Sequence, residues 1–280
     1  MSAAYDLHVP AVDAIPLVLD SPHSGTDYPA DFGYACQYEI LRTAEDTHVD
    51  ALFAHGPAIG ASLLAARFPR SYVDVNRAIV DIDPGMLDAP WVGPISPGEK
   101  TRMGVGLIRR MATAEVPIYA RRLSIDEVEA RITRCYAPYH AALQELVDGA
   151  RVKFGHAYHI NCHSMSARGN GKTTPDGTAE RPDFAMGDRD GTSCDPAFTN
   201  FVTGWLAARG YDARINDPYK GSELVRRHGR PADGLHSLQI EINRRLYMDE
   251  ATREPNAHYG KLKADLDGLL EAVRDWIAAR

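Results

Sequence analysis

Four residues of this chain could together carry out hydrolysis: a histidine in "LDSPHSGTDYP" (His23), a histidine in "NCHSM" (His163), an acidic residue in "EDTHVD", and a glutamate inside "LQIEINR" (Glu241). Two imidazoles and one carboxylate from separate segments make the ligand set of a catalytic zinc site, which keeps a further position open for water. A second carboxylate is then needed as the base that takes the proton of that water. Glu241 lies between Ile240 and Ile242, where an ionised carboxylate is costly unless it meets a metal, a cation or hydrogen-bond donors. A salt bridge to Arg244 or Arg245 would also account for it. "RSYVDVNR" adds Arg70, Asn76 and Arg77. An arginine can grip a carboxylate with two parallel hydrogen bonds and an adjacent asparagine can add a donor, so the pair suits a substrate carboxylate. An internal pair of Arg77 with Asp74 or Asp81 is the alternative. A lone histidine after a strand is ordinarily a turn or core residue, and the remaining ones, such as His48, His55, His140, His156, His159, His228, His236 and His258, are read that way.

These residues need a scaffold that brings distant segments together. Apolar stretches at 15–20, 61–68, 71–75, 156–162 and 236–242 read as strands, and apolar spacing of three and four predicts helices over 38–56, 122–152, 195–209 and 255–279. Their alternation predicts a single α/β domain over 1–280, with a mixed, mostly parallel sheet flanked by helices on both faces. In such folds ligands bind beyond the carboxyl ends of the strands, and His23, Arg77, His163 and Glu241 fall near four of those ends. Ser124 followed by Glu127 forms a capping box, and Leu262, Leu266, Leu269, Leu270, Val273 and Ile277 line one face of the last helix. Both features are structural. The Gly- and Pro-rich segments 83–104 and 164–194 are too long for routine connections and read as functional or poorly ordered loops.

Composition narrows the function classes. Acidic residues outnumber basic ones, 38 to 31, for a net charge of −7, which argues against a broad nucleic-acid-binding face. No run approaches the ~20 apolar residues of a membrane span, and no basic segment leads into an apolar one at the start, so a cytoplasmic protein is expected. Cys36, Cys135, Cys162 and Cys194 form no CxxC pair and are expected to be reduced thiols.

Taken in order, "SPHSGTDYP", "EDTHVDALF", "RSYVDVNR", "NCHSM", "NDPYKGSELVRRHG" and "LQIEINRRLYMDE" resemble the N-formylglutamate amidohydrolase family, over about residues 15 to 275. The resemblance implies a fold related to the zinc carboxypeptidases and a hydrolase using zinc, or another divalent metal, on N-formyl-L-glutamate. Its products would be L-glutamate and formate, in the last step of one bacterial histidine-degradation route. "VDVNR" also resembles the substrate-carboxylate motif of aspartoacylase and succinylglutamate desuccinylase, which implies Asn76 and Arg77 as carboxylate binders. Relatives on that fold keep a glutamate three residues after the first histidine, whereas this chain has Thr26 there. The third ligand is therefore expected to be Asp46, with Glu45 and Asp27 as alternatives. The expected machinery is His23, Asp46 and His163 around Zn²⁺, Glu241 as base and Arg70 on the oxyanion. One substrate carboxylate would meet Asn76 and Arg77, and the other Arg244 or a residue of "NDPYKGSELVRR". The partner is a small dicarboxylate, and the chain a monomer or small homo-oligomer. Rival readings are an amidohydrolase for another N-acyl acidic amino acid or a short peptide, and a non-catalytic carboxylate-binding protein.

Overall fold

A computed structural model describes residues 3–171 and 177–280. Within them seven strands build the sheet: β1 (Tyr5–His8), β2 (Leu17–Ser21), β3 (Ser62–Ala66), β4 (Ala157–Met165), β5 (Phe184–Gly187), β6 (Ala213–Ile215) and β7 (Leu235–Asn243), in the order β1-β3-β2-β4-β7-β5-β6. Strands β3, β2, β4 and β7 run parallel. The edges reverse: β1 is antiparallel to β3, and β5 is antiparallel to β7 while parallel to β6. The central strands β2 and β4 are buried along their whole length, as strands covered on both faces must be.

Among the described residues, eight helices complete the fold: α1 (Tyr38–Leu41), α2 (Val49–Leu52), α3 (Glu99–Arg102), α4 (Ile125–Arg131), α5 (Ala137–Phe154), α6 (Pro196–Ala207), α7 (Glu223–His228) and α8 (Tyr259–Ala278). Helices α6 and α8 cover one face, where Leu19, Ile160, Leu238 and Ile240 meet Phe198, Leu266 and Leu270 in one apolar cluster. Helices α4 and α5 cover the other, around Val18, Leu64, Tyr139 and Leu143. A one-turn π segment, Ile132–Tyr136, joins α4 to α5, and Ser124 and Glu127 form the expected capping box at the start of α4. All four cysteines are free. No helix among the described residues is long and apolar enough to cross a membrane.

Three expectations are corrected. The stretch 71–75 is no strand: the Asp74 carboxylate accepts from the Asn76 backbone N–H at 3.0 Å, and the Asp74 N–H reaches the Leu107 carbonyl, so side-chain and loop bonds replace a ladder. The helix expected over 38–56 is broken. Short turns at Tyr38–Leu41 and Val49–Leu52 flank an interruption in which His48 adopts φ 69°, and Asp46 lies in that break. The segment 164–194 holds the end of β4 and all of β5; of it, 172–176 lie outside the described residues.

Candidate metal centre and active site

The alternation of β4 and β7 creates the site. Tyr158, Ile160 and Cys162 enter the apolar core on one face, so His159, Asn161 and His163 must project from the other. Ser237, Gln239 and Glu241 alternate likewise on β7, and the parallel register sets His163 beside Glu241. His23 follows β2 in a turn whose Gly25 has no room for a side chain: a Cβ there would lie 2.4 Å from the Arg67 and Phe68 backbone. The break in the helical segment then delivers Asp46, whose backbone N–H bonds the His23 carbonyl at 3.0 Å.

His23, Asp46 and His163 are all buried, and one ligand atom from each lies within 4.8 Å of the others. Asp46 Oδ2 is 3.0 Å from His163 Nδ1 and 3.4 Å from His23 Nδ1. The opposite ring nitrogens are engaged: His23 Nε2 with Asp74 Oδ1 at 2.8 Å, and His163 Nε2 with Asn161 Oδ1 at 2.7 Å. Those acceptors assign the ring protons to Nε2, so two Nδ1 lone pairs face the Asp46 carboxylate. His23 Nδ1 is buried with no hydrogen-bond partner. Two imidazole lone pairs and a carboxylate oxygen converging on one point repel unless a cation sits among them, and this donor set fits a catalytic zinc ion.

Supporting residues fix each ligand. Arg244 and Ser164 donate to Asp46 Oδ1 at 3.0 and 3.3 Å, leaving Oδ2 toward the imidazoles. Asp20, itself bonded by Tyr139, accepts from the Asn161 amide at 2.7 Å and turns its oxygen to His163. The alternative ligands face elsewhere: Glu45 pairs with Arg42 at 3.0 Å, and Asp27 with Arg67 at 2.9 Å.

His23, Asp46, Arg70, Asn76, Arg77, His163, Glu241 and Arg244 all line one cavity of about 610 Å³. Glu241 makes no ion pair with Arg244 or Arg245 among the described residues; those pair with Asp46 and Asp183. Its Oε1 accepts from Gln239 Nε2 at 2.9 Å, and burial together with the Asp46 charge pushes its carboxyl up to about 8. Arg70 pairs with Asp74 Oδ2 at 2.8 Å. Arg77 uses Nε on the Val105 carbonyl and Nη1 on the Asn76 carbonyl and Ser222, which leaves Nη2 to the cavity. The Asn76 side-chain oxygen is committed within the protein, accepting from the Leu224 N–H at 3.0 Å. Arg244, expected to meet substrate, directs each of its nitrogens to a protein acceptor, namely Ser164 Oγ, the Thr43 and Glu45 carbonyls and Asp46. Sequence reasoning missed Asp74, Asn161 and Gln239; the polar alternation of "HINCH" and "SLQIE" was the signal for the last two.

Residues 15–248 match the family described as N-formylglutamate amidohydrolase. An N-formylglutamate deformylase of Pseudomonas putida is 30% identical over 275 residues, 95% of each chain. A crystal structure of an N-formylglutamate amidohydrolase from Ralstonia eutropha JMP134 superposes with a TM-score of 0.94 at 48% identity, covering 99% of both chains. The gene product Atu2144 of Agrobacterium tumefaciens shares the fold, with a TM-score of 0.68 at 19% identity over 97% of this chain and 96% of its own.

Proposed function

The chain belongs to the N-formylglutamate amidohydrolase family, and from that premise we propose that it hydrolyses N-formyl-L-glutamate to L-glutamate and formate with a zinc ion held by His23, Asp46 and His163. The observation that carries this reading is the buried convergence of two Nδ1 atoms and a carboxylate oxygen beside Glu241, in an arginine-walled cavity. A zinc-class cation supplies Lewis acidity there, acidifying water and polarising an amide carbonyl.

The protein does the rest. Asp74 and Asn161 keep both imidazoles in the tautomer that offers Nδ1. Glu241, with Oε1 held by Gln239, has Oε2 to take a proton from the attacking water and pass it to the leaving amide nitrogen. Arg70, fixed by Asp74, faces the cavity as the cation for the developing oxyanion. Arg77 presents Nη2 to a substrate carboxylate, and Asn76 braces that turn through its amide and carbonyl oxygens. Arg244 we assign to holding Asp46.

The test is turnover of N-formyl-, N-acetyl- and N-succinyl-L-glutamate by purified protein, before and after chelation and after zinc is restored. Preference for the formyl compound, lost on chelation and recovered with zinc, is expected. Preference for a larger acyl group would move the assignment to another N-acyl acidic amino acid, and full activity in metal-free protein would defeat the zinc mechanism. Tight binding without turnover would favour a carboxylate-binding protein.

A further inference from the structure

The substrate proposed above is a dianion, and Arg77 accounts for one of its charges. The cavity wall holds another cation that the sequence reading did not single out. Arg109 carries no hydrogen bond or ion pair among the described residues; its Nε is enclosed and without a partner, although the side chain lines the cavity. Burial, followed by the neighbouring charge of Arg70, drives its guanidinium down to about 9. A guanidinium with a shielded Nε beside like charges is stabilised when an anion joins it.

Its placement is fixed by backbone. Val105 and Arg109 face each other across a tight antiparallel turn, and the Val105 carbonyl is the acceptor of Arg77 Nε. The same turn is tied down by the Leu107 N–H on the Asp81 carbonyl at 2.9 Å and by the Asp74 N–H on the Leu107 carbonyl at 2.8 Å. Arg77 and Arg109 are therefore attached to one rigid element, itself bonded to the Asp74 loop that orients His23. Arg244 cannot take the second charge without releasing Asp46.

We propose that Arg109 is the anchor for the second carboxylate of the substrate, and that it sets the preference for acidic over neutral N-acyl amino acids. This rests on the deformylase reading. A carboxylate would complete the unbonded donors of Arg109, while a neutral amide in its place would leave that cation uncompensated.

The experiment compares N-formyl-L-glutamate with N-formyl-L-glutamine, which has the same length and lacks the second charge, in the wild type, Arg109→Gln and Arg109→Lys. In Arg109→Gln the ratio of kcat/KM for the acidic over the neutral compound should fall by about 100-fold, chiefly through KM, as expected for a desolvated charge pair losing one partner. Arg109→Lys should recover part of the ratio, and unfolding midpoints matching the wild type would show that both variants fold. A ratio unchanged in Arg109→Gln, or equal losses on both compounds, would overturn the assignment. If the zinc-loaded wild type turns over neither compound, the deformylase reading fails separately. Calorimetric binding of N-formyl-L-glutamate then decides for Arg109, and equal affinity in wild type and Arg109→Gln would overturn it.

Discussion

Asp74 Oδ1 accepts a hydrogen bond from His23 Nε2 at 2.8 Å, with both side chains wholly buried, while Asp74 Oδ2 holds Arg70. One carboxylate thus orients an imidazole of the candidate metal centre with one oxygen and a cavity-facing guanidinium with the other. Burial alone would raise its carboxyl, but Arg70, His23 and Arg77 hold it well below the usual carboxylate range.

Asp74→Asn should separate those two tasks. The Asn76 N–H favours an oxygen at the Oδ1 position, so the amide nitrogen would be turned toward Arg70, donor against donor. The retained oxygen still accepts from His23 Nε2, so zinc affinity, measured by competition with a chromophoric chelator, should stay within about 10-fold of the wild type while kcat falls through the displaced Arg70. A much larger loss of zinc affinity, or unchanged kcat, would show that the two oxygens do not divide the work in this way.

Glu241→Gln preserves the volume and the Gln239 contact but removes the proton acceptor. Its kcat on N-formyl-L-glutamate should fall by about 10² to 10⁴, the range for a general base, with zinc content unchanged by elemental analysis. Near-normal turnover would rule Glu241 out as the base.

His140 predicts a pH effect on stability away from the metal ligands. Its Nε2 bonds the Val75 carbonyl at 2.9 Å and its Nδ1 faces Arg227, and burial with the Arg227 charge pushes it from 6.5 down to about 4. Between those values the unfolded chain binds the extra proton, so its contribution is full above 6.5 and is lost as pH falls toward about 4. The slope is at most about 1.4 kcal/mol per pH unit. Urea unfolding of His140→Gln, which cannot titrate, should show a flatter loss across that window than the wild type; parallel curves would exclude His140 as a source.

Arg131 is 1% exposed and bonds the Tyr72 and Phe32 carbonyls at 3.1 and 3.0 Å and the Tyr119 hydroxyl at 2.6 Å, with its guanidinium 4.3 Å from the Tyr72 ring. Arg131→Met fills similar space but strands those acceptors. Destabilisation by about 3 kcal/mol in urea unfolding is expected, and a loss well under 1 kcal/mol would show that water or repacking replaces the guanidinium.

Much of this arrangement was legible in the chain because parallel strands write themselves as apolar runs with the chemistry near their ends. His23, His163 and Glu241 were found that way. Tertiary bonding hid the rest. Residues 71–75 have strand-like composition, yet the Asp74 side chain competes for the backbone and bends it into a turn. The interruption that frees Asp46 depends on the left-handed backbone of His48, which apolar spacing over 38–56 does not encode. Arg109 sits in an irregular segment where no periodicity marks it, and only the Val105 turn reveals that it joins Arg77.

The pairing of His163 with Glu241 on adjacent parallel strands has an evolutionary corollary. A backbone ladder sets the separation of the two positions, and the apolar face beneath anchors both strands, so the proposed ligand and the proposed base are spaced by main chain. Under the proposed function, divergence in substrate range would instead accumulate in the loop wall, through Arg77, Arg109 and the turn at Val105, with the reacting centre as the inherited constant and the taste for acids as the variable.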